Sequence, residues 1–189
     1  VEATPPPRAA LLPHIWLSDE EIRQGQRLLE QLPDKAGTPP IALHPYATHP
    51  DKAWKEAYWR QLVELFESRG IPWIVIGRGS GMEGIPASRN FTNRTSLRET
   101  CALLKSSSLL ITGDSGPMHL AGAVGTPVLA LFGPTTEEWG FFPAGPKDRV
   151  LESQLDCRPC TLHGKKHCDR NHACMQSITP EQVMRALDE

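Results

Sequence analysis

A chain of 189 residues is long enough for one domain with a full core and short for two. With 39% hydrophobic and 22% charged residues it has the composition of a soluble globular protein, and a formal charge of −2 gives no field that would gather nucleic acid or an anionic membrane. No apolar run approaches the roughly 20 residues that cross a bilayer, so neither a nucleic-acid partner nor a transmembrane segment is expected.

The chain begins "VEATPPPRAALLPH", whose prolines suit an extended connector; residues 1–17 are expected to be a linker within a longer protein and residues 18–189 a single domain. Ser18 and Glu21 make a capping box, with Leu17 and Ile22 at the staple positions, which predicts a helix over 18–32. "IALH" (41–44) reads as the first strand. Trp59, Leu62, Val63 and Phe66 recur at helical spacing and predict a helix over 54–69 that stops at Gly70. "WIVIG" (73–77) follows as a second strand, and Ser96 with Glu99 opens a helix over 96–106 in which Cys101 is a small core residue. "LLITG" (109–113) and "VLALFG" (128–133) are strands on either side of a short helix that Asp114 or Ser115 would cap and Gly125 would end. Thr179 with Gln182, Pro180 at the first helical position and Ile178 facing Val183 predict a last helix over 180–188.

None of the four strands alternates polar with apolar residues, so each suits burial on both faces, and the repeated order of strand and helix predicts an α/β, Rossmann-like parallel sheet flanked by helices. Ligands of such sheets bind outside the carboxyl ends of the strands. That places "HPYATHPDKAW", "GRGSGMEG", "GDSGPMH" and "GPTTEEWG" around any site. After Ser115 the helix start, with Pro117 in its first turn, offers N–H groups to an anion, and Gly113 and Gly116 let the backbone approach a bulky ligand. Ser115 does not fit a nucleophile elbow, because G-x-S-x-G requires glycine where Pro117 stands.

"DSGPMHLAGAVGTPVLALFGPT" resembles the signature of the ADP-heptose:lipopolysaccharide heptosyltransferase family, with Gly122 where many members have alanine. "HPYATHPDKAWKEAYWRQLVELFESRGIPWIVIG", "RTSLRETCALLKSSSLLITGDSG" and the cysteine-containing tail are similar to further family segments, so the likeness covers about residues 38–187. It implies a GT-B glycosyltransferase of two Rossmann-like domains, this chain being the C-terminal, donor-binding half. It also implies an inverting transfer of heptose from a nucleotide-sugar, ADP-heptose being expected, to a lipopolysaccharide core or related acceptor. On the family pattern Lys52 and Asp114 activate the donor, and Thr48, Lys52, Gly77, Asp114, Ser115, Gly116, Met118 and His119 bind it. The resemblance further implies that the acceptor base lies in an N-terminal domain, that no catalytic metal takes part, and that the enzyme works in the cytoplasm, peripheral at the inner membrane. Asn90 departs from the acidic residue that some members place near the nucleoside. A GT-B transferase using another nucleotide-sugar, or a non-catalytic metal-binding interaction module, are the alternatives.

Four cysteines, Cys157, Cys160, Cys168 and Cys174, fall within 18 positions as C-x2-C-x7-C-x5-C, with His163, His167 and His172 interleaved in the loop 156–176. Four thiolates so spaced can hold one tetrahedral ion, zinc first and iron second, in a structural role. Free thiols and a disulfide pair are the alternatives, the disulfide disfavoured by a reducing compartment.

Overall fold

The structure, a computed structural model, describes residues 12–34, 37–161 and 168–189. Most of the expected linker, residues 1–11, and the loop histidines His163 and His167 lie outside the described residues.

Five strands form one sheet: β1 (Ile41–His44), β2 (Trp73–Val75), β3 (Leu109–Gly113), β4 (Val128–Phe132) and β5 (Arg149–Glu152). All pair in parallel in the order β2-β1-β3-β4-β5, with Leu43 opposite Val75 and Ile111, and Ile111 opposite Leu129. The period of two sorts the strand residues. Ile41, Leu43, Val75, Ile111 and Leu129 enter one apolar cluster, and Ala42, Ile74, Leu110, Val128 and Ala130 enter the other. The first cluster is closed by α2 (Glu56–Arg69) and α6 (Pro180–Asp188), and the second by α1 (Asp19–Leu29), α3 (Leu97–Lys105) and α4 (Gly116–Val124). Both faces of the sheet are covered, which is why the strands read as unbroken apolar runs.

The three expected capping boxes all form, at Ser18 with Glu21, Ser96 with Glu99, and Thr179 with Gln182. Trp59, Leu62 and Phe66 are the buried stripe of α2, which ends at Gly70 in the left-handed region at φ +63°. Truncating Phe66, fully buried, costs about 3 to 5 kcal/mol by the usual scale of large core deletions.

Three elements differ from the sequence reading. The second strand closes at Val75, and Ile76 and Gly77 already lead into a loop whose Asn90 bridges back to Val75. A fifth strand, β5, is partly exposed at the sheet edge, and a single helical turn, α5 (Ala173–Gln176), precedes α6.

Candidate functional site

In the order 2-1-3-4-5 the topological switch point falls between β1 and β3, and ligands of such sheets bind just outside the carboxyl ends of those strands. A cavity of about 430 Å³ lies there, its wall including His44, Thr48, Gly77, Thr95, Ser115 and Gly116. Thr48, Gly77, Ser115 and Gly116 thus share one cavity.

Beside it, Lys52 and Asp114 meet. Lys52 ends a short 3-10 turn, Pro50–Lys52, between β1 and α2, and its Nζ donates to Asp114 Oδ2 at 2.5 Å. The same oxygen accepts from Thr135 Oγ1 at 3.0 Å. The lysine and aspartate side chains are 14% and 9% exposed, so the pair sits in a low-dielectric setting where a charge needs its partner. Each of the two is next in the chain to a cavity residue, Asp114 to Ser115 of the switch-point cavity and Lys52 to Asp51 of a second one.

Ser115 stands at the N-cap of α4 but does not cap it. Ser18 and Ser96, at the same position of α1 and α3, accept the N3 backbone N–H. Ser115 Oγ instead lies 2.9 Å from Thr112 Oγ1 and 3.3 Å from His44 Nδ1, and His44 Nδ1 is 3.0 Å from Thr112 Oγ1. The expected side-chain cap by Asp114 or Ser115 is therefore absent, one carboxylate being held by Lys52 and the hydroxyl by the His44–Thr112 pair. Burial lowers the His44 pKa to about 4, so the ring is neutral near pH 7. Gly77, at φ +118°, packs against it: a Cβ there would clash with the edges of the His44 and Tyr46 rings, 2.8 Å from His44 Nε2 and 2.9 Å from Tyr46 Cδ2. Tyr46 is fixed in turn by a 2.7 Å bond to Thr92 Oγ1, and burial raises its pKa.

Four of the expected donor residues lie off the cavity wall: Lys52 and Asp114, joined to each other, and Met118 and His119. Met118 is 1% exposed and packs in the apolar cluster with Ala121 and Val124, because the inward face of α4 claims it. His119 is exposed and stands outside the cavity wall. His44 was missed, and its one signal is a polar residue closing an otherwise apolar strand, "IALH". Arg78, exposed and lining both this cavity and a neighbouring one under Trp54 and Trp59, was also missed.

The four clustered cysteines line one cavity of about 180 Å³, together with Asp51 and His172. All five cysteines are free, so no disulfide joins them. Among the described residues no group of three or more His, Cys, Asp or Glu side chains is placed to hold a metal ion. The donor set has the chemistry of a thiolate site without its assembled geometry. Cys168 Sγ accepts the His172 N–H at 3.2 Å, and burial followed by the neighbouring Cys157 and Cys168 sulfurs raises the Cys160 pKa. His172 Nε2 bonds Asp51 Oδ1 at 2.7 Å, beside Lys52. Arg158 reaches the Gly133, Ser153 and Thr135 carbonyls and the Glu152 carboxylate, fastening the cysteine segment to the end of β4.

A five-stranded parallel sheet covered by helices on both faces, with a polar cavity at its switch point, defines a Rossmann-like α/β domain of the nucleotide-binding type. The chain belongs to glycosyltransferase family 9 (heptosyltransferase), whose sequence model matches residues 13–169. It is 35% identical over 153 residues to lipopolysaccharide heptosyltransferase 1 of Pseudomonas aeruginosa, covering 74% of this chain and 40% of that one. It is 33% identical over 101 residues to a lipooligosaccharide heptosyltransferase 2 of Campylobacter jejuni, covering 51% and 30%. The fold is that of E. coli ADP-heptose lipopolysaccharide heptosyltransferase II, with a TM-score of 0.71 at 23% identity over 93% of this chain and 52% of that one. It is shared with the iron-containing dodecameric glycosyltransferase TibC of enterotoxigenic E. coli, with a TM-score of 0.66 at 24% identity over 82% and 46%. The chain spans about half the length of these GT-B proteins or less.

Proposed function

We propose that this chain is the C-terminal, donor-binding half of a GT-B heptosyltransferase, with residues 1–17 as the connector to an N-terminal domain that carries the acceptor base. The donor is a nucleotide-sugar, ADP-heptose by the family's chemistry, and the acceptor a lipopolysaccharide core or related glycan, met in the cytoplasm at the inner membrane. The observation that carries this reading is the switch-point cavity, where the uncapped start of α4 and the Lys52–Asp114 pair stand at the ends of neighbouring strands.

Glycosyl transfer builds negative charge on the leaving diphosphate, so a helix N-terminus and an ammonium aimed at it favour the transition state over the ground state. Lys52 serves as that ammonium after exchanging part of its contact with Asp114 for phosphate oxygen. Ser115 and Gly116 approach the diphosphate, Asp114 the sugar, and Thr48 and Gly77 the rim and floor. Titration of the chain with ADP and with ADP-sugar tests the reading. Micromolar binding without turnover is expected, and binding of no nucleotide overturns it in favour of an association module.

The cysteine loop is proposed to take one structural zinc or iron. The supporting observation is that all four cysteines line one small cavity, with a backbone N–H already donated to Cys168 Sγ as in thiolate sites. TibC, an iron-containing glycosyltransferase of the same fold, agrees in kind.

A further inference from the structure

Ser115 has two possible partners for its hydroxyl: its own helix or the strand ends beneath it. A serine at an N-cap ordinarily accepts from the N2 or N3 backbone N–H. Here N2 is Pro117, which has none, and the N3 N–H of Met118 goes to the Ser115 carbonyl at 3.2 Å. The hydroxyl turns down to Thr112 and His44, both buried, at 0% and 6% exposure. The His44 ring cannot swing away. Gly77 closes on one side of it, Tyr46 stacks edge-on at 5.7 Å, and Thr112 Oγ1 holds Nδ1 from a third side. Its burial also keeps the ring uncharged near pH 7, so what it exerts on Ser115 is direction rather than Coulomb attraction.

We infer that His44 is a positioning residue for donor binding: through Nδ1, and with Thr112, it fixes the Ser115 hydroxyl in the wall of the switch-point cavity beside Gly116, in place to meet the donor diphosphate. The inference rests on the donor-site reading above. It assigns to a residue at the end of β1 an effect exerted only through Ser115, 71 positions away.

ADP titration of the chain and its variants tests it. His44→Phe fills the same space without a hydrogen-bonding atom, and is expected to weaken ADP binding about tenfold, the scale of one lost hydrogen bond. His44→Asn places a polar atom where Nδ1 stood and is expected to recover affinity to within about threefold of the parent. Because His44 acts through Ser115, His44→Phe added to Ser115→Ala should produce no further loss, and the salt dependence of binding should stay that of the parent chain. Thr112→Val, nearly isosteric, should reproduce the loss if His44→Phe does not fold. Unchanged affinity in both His44→Phe and Thr112→Val, or losses that multiply in the double variant, overturns the assignment while leaving the donor reading intact. Failure of the parent chain to bind ADP or any ADP-sugar overturns the donor reading and this inference together.

Discussion

Lys52 and Asp114, 62 positions apart, close an ion pair of 2.5 Å, each next in the chain to a residue that lines a cavity, Asp51 and Ser115. The lysine is therefore held in place before any ligand arrives. Its desolvation cost is already met by the aspartate, and an arriving phosphate exchanges one anionic partner for another.

Lys52→Ala is expected to weaken ADP binding by about 1.5 to 3 kcal/mol, the range for a hydrogen bond to a charged group, as read by calorimetric titration. Asp114 is left with Thr135 alone, so the variant should also unfold at lower denaturant. Asp114→Asn in the Lys52→Ala background should restore part of that stability without restoring affinity.

Gly77→Ala should be far more damaging than its size suggests. It combines a left-handed backbone at φ +118° with a Cβ that clashes with the edges of the His44 and Tyr46 rings. A loss of about 2 kcal/mol or more is expected in chemical unfolding, with ADP binding lost from whatever folds.

His44 gives stability a pH dependence of defined sign. Its folded pKa, about 4, lies below the ordinary value of 6.5, so the unfolded chain binds the extra proton in between. Stability from this group is complete above 6.5 and falls as the pH drops toward 4, by roughly 3 kcal/mol in all. Carboxylates such as Glu99, whose pKa is lowered by the Ser96 cap, act below this window. His44→Phe should flatten the curve of unfolding free energy between pH 6.5 and 4 and leave the more acidic limb in place.

The cysteine loop should carry close to one equivalent of zinc or iron when purified, and chelation should release it with loss of protease resistance around residues 156–176. Less than about one-tenth of an equivalent by elemental analysis sinks the metal site.

Much of this fold is legible because its signals are local. Each capping box needs only four residues, and Ser18, Ser96 and Thr179 all make theirs. The apolar runs of β1, β3 and β4 announce burial on both faces. "RVLE" does not, because β5 is partly exposed and too short for a pattern to emerge. Within the candidate site, family likeness points to Lys52, Asp114 and Ser115 but not to their partners. Nothing near Asp114 in the chain points to Lys52, and nothing near Ser115 points to His44; those contacts exist only once β1 lies beside β3. Met118 carries two signals, its place in a loop that family likeness gives to the donor and its three-residue spacing with Ala121 and Val124, and the structure buries it with those two on the inward face of α4.

The switch in strand order has a consequence for folding. β1 pairs with β3 as well as with β2, so the contacts that join His44 to Thr112 and Ser115, and Lys52 to Asp114, each close a loop of more than sixty residues. Such closures are entropically late and slow compared with helix formation. Nucleotide affinity should accordingly be absent from any fragment that ends before Leu109, and should emerge during refolding together with the last cooperative unit rather than with the helices.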